Sequence, residues 1–309
     1  MRLNPYITSH PIDKPANFFG RADILHNVTQ LLQHKEHNTI VLYGQRCIGK
    51  TSLLLQLEEQ LGGGGVFSPV YFDLMGKAEI SLGDLLYQLA QEIASVVGQN
   101  LPPREEFDAE GIYFCQTFLP HAASAAAEGG LVLLFDEFDV LDRPQAKPAS
   151  ETFFPYLRRW MADFERVQLV FVMGRQPQAF LLNRRSIFKG VPAIPLSLFS
   201  RKEAANIVRQ AQQNESLSWL VAAVNQVWRW TEGHPYFTQV LCRVVWQNAY
   251  QNKPKEVPYV LPEHVDAAVG QLLGEDPAPT PSPSPNTRGG ESSRSLSPPE
   301  GGGKGLEAD

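Results

Sequence analysis

A phosphate-binding pattern is the part of this sequence that could most directly do chemistry. It fits the spacing G-x-x-x-x-G-K-[ST] and comprises Gly44, Gln45, Arg46, Cys47, Ile48, Gly49, Lys50, Thr51 and the following Ser52. Glycines let a backbone wrap closely around phosphate oxygens, while amide groups and the positive end of a following helix face the anion. Lys50 would add charge near the outer phosphates, and Thr51 would place its hydroxyl on Mg²⁺. The pattern therefore predicts nucleotide binding.

A second pattern places two carboxylates after an apolar segment. Residues 131–135 are all apolar, which is typical of a strand buried on both faces, and Asp136 and Glu137 follow them. Asp136 is predicted to hold the Mg²⁺ shell, and Glu137 to orient and polarise a water that attacks the γ-phosphate. A role in capping the next segment is the simpler interpretation for Asp139 and Asp142. For the pair itself we expect a role in hydrolysis of the β–γ phosphoanhydride.

The elements around these patterns predict an α/β fold. A β-branched apolar run precedes the glycine-rich loop, and leucines at helical spacing follow it. Strands are predicted at 39–43, 66–73, 131–135, 168–173 and 192–196, with helices between them, one of which spans 151–167. Because strands alternate with helices, we expect a parallel sheet covered on both faces.

The composition limits the class of protein and of partner. The formal net charge of -6 over 309 residues gives no general basic surface for nucleic acid. The three cysteines, Cys47, Cys115 and Cys242, are scattered and odd in number, so they predict neither a disulfide framework nor a metal site. No apolar run approaches the roughly 18 residues of a membrane span, and the N-terminus lacks a signal-peptide core. We therefore expect a cytoplasmic protein without a membrane span.

Five motifs, taken in order, resemble those of STAND ATPases, the signalling branch of AAA-like P-loop proteins. Residues 18–21, which follow Asn4-Pro5-Tyr6, Pro11 and Pro15, resemble the hydrophobic-hydrophobic-Gly-Arg motif of that group. Gly233-His234-Pro235 resembles its Gly-x-Pro motif. Between them lie the two patterns above and Arg175, at the place where STAND ATPases have an arginine that senses the γ-phosphate. The resemblance covers about residues 4–270.

The resemblance implies a sheet in the order 5-1-4-3-2, ATP or ADP with Mg²⁺ as ligand, and a helical lid. Phe19, Gly20 and Arg21 would line the adenine base, and Pro235 would close over it. Arg21 could instead only open the following helix, and Arg175 could be an ordinary surface charge. His234 is expected to start a helix rather than to act in catalysis.

The resemblance also suggests a division of the chain. We expect a P-loop ATPase domain over residues 1–198 and a helical lid domain over residues 199–274. The remaining residues 275–309 are rich in Pro, Ser and Gly and are predicted to be disordered. This tail could be a linker to a further domain, a natural low-complexity tail or the out-of-frame end of an interrupted gene. The tryptophans are expected in core helices, at Trp160, Trp219, Trp228, Trp230 and Trp246.

The predicted function is an ATP-binding signalling switch that hydrolyses ATP slowly. One alternative is an AAA-type ATPase that assists a nucleic-acid process such as replication origin recognition or transposition. Another is an interaction module that binds nucleotide without turnover. Arg184 or Arg185 could be an arginine finger that reaches a neighbouring subunit, although STAND ATPases usually lack one. A nucleotide-dependent homo-oligomer and a protein partner or effector are both left open.

Overall fold

The centre of the structure, a computed structural model, is a five-stranded parallel sheet. The model describes residues 3–34, 38–142, 153, 154, 156–158, 161, 166–174, 188–251 and 254–274. The strands are β1 (Thr39–Gly44), β2 (Ser68–Asp73), β3 (Leu131–Asp136), β4 (Val167–Met173) and β5 (Ala193–Leu196). Their spatial order is β2-β3-β4-β1-β5, and every neighbouring pair is parallel. This is the predicted order 5-1-4-3-2 read from the other edge, so the predicted fold class is confirmed.

Helices cover both faces of the sheet, as the alternation of apolar side chains requires. In β3 all six residues are buried, and successive side chains enter opposite cores. Leu133 and Phe135 pack against one face, and Val132 and Leu134 against the other. The helices of the sheet region are α1 (Ala22–Gln33), α2 (Lys50–Gly63), α3 (Leu82–Val97) and α4 (Leu119–Ala125).

Short helical segments complete the sheet region. The structure has 3-10 turns at Pro15–Asn17, Arg104–Glu106 and Phe138–Asp142, and a π-helical turn at Phe114–Phe118 that leads into α4. The described residues between 153 and 161 are helical, which agrees with the helix predicted between β3 and β4.

The helices that follow β5 form a separate core, and we call the described part of residues 199–274 the lid. Its elements are α5 (Arg201–Gln213), α6 (Val221–Thr231), α7 (Pro235–Tyr250), α8 (Pro262–Leu273) and the paired strands β6 (Ser218–Trp219) and β7 (Tyr259–Val260). The prediction that every tryptophan lies in a core helix is wrong at two positions. Trp219 belongs to β6, and Trp230 is 52% exposed, with its indole N–H donating to Asp266 Oδ1 at 2.7 Å.

Several predictions fall outside the described residues. Arg175, Arg184, Arg185, Trp160 and the tail 275–309 are among them. Among the described helices, none combines the length and the apolar character needed to cross a bilayer.

Candidate nucleotide-binding site

A cavity of about 330 Å³ lies where the sheet region, the N-terminal residues and the lid meet. Of the residues predicted to bind nucleotide or to act in hydrolysis, those that line it are Phe19, Arg21, Arg46, Cys47, Gly49, Lys50, Thr51, Ser52, Glu137 and Pro235. Gly44, Gln45, Ile48, Gly20 and Asp136 are not among the lining residues. The structure thus brings residues of the glycine-rich loop, the acidic pattern, the Gly-Arg motif and the Gly-x-Pro motif together around one space.

The glycine-rich loop forms one end of the cavity. Gly49 starts α2 with φ of +91°, a backbone conformation that favours glycine, and the helix has no side-chain cap. At Gly44 an added Cβ would lie 2.9 Å from both Ile48 Cγ2 and the Leu196 carbonyl oxygen. Residues 49–52 line the cavity, so the N-terminus of α2, whose first amides lack partners within the helix, lies at it.

Lys50 belongs to the same end of the cavity. Its side chain is 7% exposed, and its Nζ donates to the Gln45 carbonyl oxygen at 3.1 Å. The ammonium group is therefore held across the loop rather than extended into solvent. A phosphate bound at this loop would meet a charge that is already largely desolvated.

The acidic pattern places a fixed carboxylate beside the start of α2. Thr51 Oγ1 donates to Asp136 Oδ2 at 2.6 Å, and Tyr71 donates to the same oxygen at 3.2 Å. Asp136 Oδ1 accepts the backbone N–H of Glu137 at 2.9 Å. Burial, and next the negative charge of Asp136, raise the pKa of Tyr71, which therefore stays a neutral donor. A hydroxyl and a carboxylate are hard oxygen ligands, so Thr51 and Asp136 fit Mg²⁺.

Strained backbone is concentrated around this cavity. Among the described non-glycine residues with positive φ are Arg21 at 60°, Cys47 at 59° and Glu137 at 49°, and all three line it. Such conformations are uncommon for residues with a Cβ and persist only where the surroundings impose them. Tertiary packing therefore overrides the usual backbone preference of these residues at three places: Cys47 in the loop, Glu137 after β3 and Arg21 before α1.

Arg21 joins three parts of the structure. Its guanidinium donates to the carbonyl oxygens of Ile48, at 2.7 Å, and Ser197, at 3.0 Å, and lies 4.8 Å from the centre of the Phe199 ring. Its backbone N–H donates to Glu203 Oε1 at 2.9 Å. Burial lowers the pKa of Arg21 to about 10, although Glu203 and Asp23 oppose the shift. The side chain thus connects the glycine-rich loop to the lid, in addition to lining the cavity.

The Glu203 carboxylate packs closely against the backbone of Gly20 and Arg21. A Cβ on Gly20, whose φ is +75°, would lie 2.7 Å from Glu203 Oε1. Burial alone would raise the pKa of Glu203, but hydrogen bonds from Arg21 and Ser200 lower it below its ordinary value. The same carboxylate completes a capping box with Ser200 at the start of α5. Glu203 therefore anchors the first helix of the lid to the start of α1.

The N-terminal segment, residues 3–13, forms a wall of the cavity that sequence reasoning missed. Its residues 7–12 line the cavity. On the lid side Tyr6 donates to the Val208 carbonyl oxygen at 2.6 Å, and Arg243 donates to Thr8 Oγ1 at 3.0 Å. On the sheet side the Ile12 N–H donates to Ser52 Oγ at 2.9 Å. The prolines at positions 5, 11 and 15, which favour extended chain, were the available signal.

The lid supplies a second part of the cavity wall, which we call the lid end. Its lining residues are Phe199, Ile207, Pro235, Tyr236 and Gln239. Pro235 begins α7, which confirms the expected helix start, and His234 is the residue before it. His234 is buried, and its burial lowers its pKa, so the ring is uncharged and packs 4.4 Å from the Phe237 ring. The expectation that His234 starts a helix is thus met.

The comparison with known families decides the class of this fold. Residues 17–172, about half of the chain, match the AAA ATPase domain family. The chain belongs to the AAA ATPase domain family. The matched range contains the glycine-rich loop, Asp136, Glu137 and Arg21, and the lid lies beyond it.

Individual relatives cover smaller or more distant parts. The human NACHT domain- and WD repeat-containing protein 1 is 34% identical over 133 residues, which are 40% of this chain and 8% of that protein. The mouse protein of the same name has the same identity and coverage. This chain therefore spans only a small part of the length of these relatives.

Solved structures share the fold at low identity. A Walker-type ATPase of Pyrococcus abyssi has a TM-score of 0.62 at 13% identity and covers 86% of this chain and 77% of its own. The Aeropyrum pernix ORC1 protein in complex with DNA has a TM-score of 0.55 at 20% identity, and the match covers 84% of this chain and 66% of the ORC1 chain. The Cdc6 protein of Pyrobaculum aerophilum has a TM-score of 0.56 at 17% identity, and the match covers 82% of this chain and 67% of the Cdc6 chain.

Proposed function

We propose that this AAA ATPase domain is a signalling switch of the STAND type, which binds Mg²⁺-ATP, hydrolyses it slowly and changes the position of its lid. The observation that carries the proposal is the shared cavity. One end consists of the phosphate-binding loop with Lys50, and the other consists of lid residues including Pro235. A ligand that fills both ends contacts the two parts at once.

The proposed chemistry follows from the groups at the glycine-rich loop. Bound Mg²⁺, held by Thr51 and Asp136, would neutralise charge on the phosphates during transfer. Lys50 and the first amides of α2 would hold the phosphates in place. Glu137 would accept a proton from the attacking water, because it is a carboxylate that lines the cavity next to Asp136. Arg175 keeps its proposed role as a sensor of the γ-phosphate.

The proposed switch needs contacts that differ between nucleotide states. A ligand shifts a conformational equilibrium only by as much as its affinities for the two states differ. The γ-phosphate would contribute contacts at Lys50 and Arg175 that are lost with ADP. Arg21 supports this coupling, since its guanidinium bonds both Ile48 of the loop and Ser197 before the lid.

The signalling assignment draws on the NACHT-containing relatives, whereas the nucleic-acid alternative draws on the fold shared with ORC1 and Cdc6. The fold likeness at 20% identity and below does not extend to what those proteins bind. Phosphate-release assays with and without duplex DNA separate the two, because a DNA-assisting ATPase would change its rate on binding DNA. We expect the same rate in both assays.

Hydrolysis is tested by replacing Glu137 with glutamine. The amide keeps the shape of the side chain but cannot accept a proton, so we expect Glu137→Gln to lower turnover about 100-fold to 10,000-fold while ATP still binds. Asp139→Asn is the matched control, because Asp139 accepts the Gly174 N–H at 3.0 Å and is not among the residues that line the cavity. Turnover of Glu137→Gln at the wild-type rate would contradict this role, because another group would then accept the proton from the attacking water.

A further inference from the structure

The lid end of the cavity contains a pair of buried amide side chains. Gln239 lines the cavity one helical turn after Pro235 and is 7% exposed. Gln210 on α5 is 4% exposed, and its Nε2 donates to Gln239 Oε1 at 3.0 Å. Gln239 Oε1 therefore accepts a hydrogen bond from Gln210. Among the described residues, none accepts a hydrogen bond from Gln239 Nε2.

The position of this pair relates it to the base of a nucleotide. The phosphates belong at the glycine-rich loop, because the amides of α2 and Lys50 lie there. The base must then extend toward the lid and the N-terminal segment, where Ile12, Ile207 and Pro235 provide apolar walls for a flat ring. Gln239 brings a polar group to this apolar end. A buried polar group of this kind fixes the orientation and identity of a ligand.

The chemistry of the free donor distinguishes the two purines. Adenine has an unprotonated N1, which accepts a hydrogen bond, whereas guanine carries a proton on N1 and donates one. An N–H donor that faces N1 pairs with adenine and is opposed by the N1–H of guanine, and a bound base that leaves the donor unpaired has an energetic cost. We propose that Gln239, oriented by Gln210, donates from Nε2 to N1 of adenine and makes the site selective for adenine over guanine nucleotides.

This proposal rests on the proposed nucleotide binding and adds the residue that selects the base. Gln210 acts as a positioning residue, since it holds the amide of Gln239 without lining the cavity itself. Selection by a buried hydrogen-bonding group is stronger than selection by apolar shape, because a mismatched base leaves that group unpaired.

The test measures binding of Mg²⁺-ADP, Mg²⁺-GDP and 1-deaza-ADP, in which a C–H group replaces N1, by calorimetry. For the wild type we expect ADP to bind about 10-fold to 100-fold more tightly than GDP and about 3-fold to 10-fold more tightly than 1-deaza-ADP. In Gln239→Met the ratio of ADP to 1-deaza-ADP should fall to about one, and the preference over GDP should shrink. Gln213→Met, an exposed glutamine on α5, is the matched control and should keep both wild-type ratios.

Two further variants keep the test decisive. Gln239→Glu replaces the donor with an acceptor and should shift the preference toward GDP, whose N1–H it can accept. Gln210→Met leaves Gln239 in place but unanchored, so its ratios should lie between those of the wild type and Gln239→Met. If both Gln239 variants fold and retain the wild-type ratios, the assignment of Gln239 is overturned while nucleotide binding stands. Failure of the wild type to bind any of the three nucleotides would instead overturn the proposed function.

Discussion

The two ends of the cavity are held together in different ways. At the phosphate end one supporting contact is local in sequence, the bond from Lys50 Nζ to the Gln45 carbonyl oxygen, and another joins Thr51 to Asp136 at the end of β3. At the lid end the supporting contacts join residues far apart in the chain, such as Arg21 with Ser197 and Tyr6 with Val208. The first end is formed by the glycine-rich loop, the start of α2 and the adjoining end of β3, all of which belong to the sheet region. The second is an assembly of distant segments, so its geometry depends on how the lid packs.

This difference suggests that one end sets the affinity for nucleotide and the other couples the nucleotide state to the lid. Charge and backbone amides at the phosphate end should set most of the affinity for a nucleotide, because charge-assisted hydrogen bonds are the stronger ones. The lid end has fewer charges and more apolar contacts, so it should contribute less affinity but should transmit the state of the ligand. Substitutions at the two ends should therefore have effects of different kinds.

The largest effect is expected at the phosphate end, on binding. Lys50→Ala removes a largely buried charge that faces the phosphates, and we expect nucleotide affinity to fall at least about 100-fold. The unfolding free energy of the free protein should change little, because the ammonium group donates to the Gln45 carbonyl oxygen within the same loop. Titration calorimetry with Mg²⁺-ATP measures the loss. The exposed Lys202 provides a charge-matched control, and Lys202→Ala should bind normally; an equal loss in both variants would contradict a specific phosphate site.

The next effect is expected at the junction of the two ends, on stability. Arg21→Ala leaves the Ile48 and Ser197 carbonyl oxygens without their donor, and we expect it to lower the free energy of unfolding by about 2–4 kcal/mol. Arg229→Ala removes an exposed arginine of the lid and should change it by less than about 0.5 kcal/mol. Chemical denaturation followed by circular dichroism compares them. Equal midpoints would mean that Arg21 does not join the loop to the lid.

A smaller effect is expected at the lid end, on the response to ADP. Pro235→Ala should lose about 3-fold to 10-fold in ADP affinity, which corresponds to an ADP-induced rise in Tm about 2–5 °C smaller than that of the wild type. Pro262 starts α8 in the same way but does not line the cavity, so Pro262→Ala controls for the loss of a helix-start proline. The Tm of both variants is measured by thermal shift with and without Mg²⁺-ADP. An undiminished ADP-induced rise in the Tm of Pro235→Ala would leave Pro235 as a helix-start residue only.

The sequence predicted most of the residues that line the cavity at the glycine-rich loop. The loop residues and the carboxylates follow short rules of spacing, and the strands that carry them, β1 and β3, are apolar runs of clear length. The sheet order came from the resemblance to a known group and is confirmed. These features could be predicted because each is encoded within about ten neighbouring residues.

The lid end could not be predicted to the same depth, since its contacts depend on tertiary packing. The N-terminal segment has no regular secondary structure, and its prolines indicate extended chain but not that residues 7–12 line the cavity. Arg21 was expected at the base, but its bonds to Ile48 and Ser197 join segments 27 and 176 residues away. Gln210 and Gln239 lie on different helices and are 29 residues apart, so their pairing appears only in the fold.

Hydrogen exchange in two nucleotide states tests the central claim, that nucleotide state changes the lid, most directly. The measurement uses Glu137→Gln, which should bind ATP without consuming it, saturated with either Mg²⁺-ATP or Mg²⁺-ADP. We predict that amides of α5, α7 and the N-terminal segment differ in protection between the two states, while those of β1, β3 and β4 do not. Identical protection of the lid in both states, with both nucleotides bound, would contradict the account.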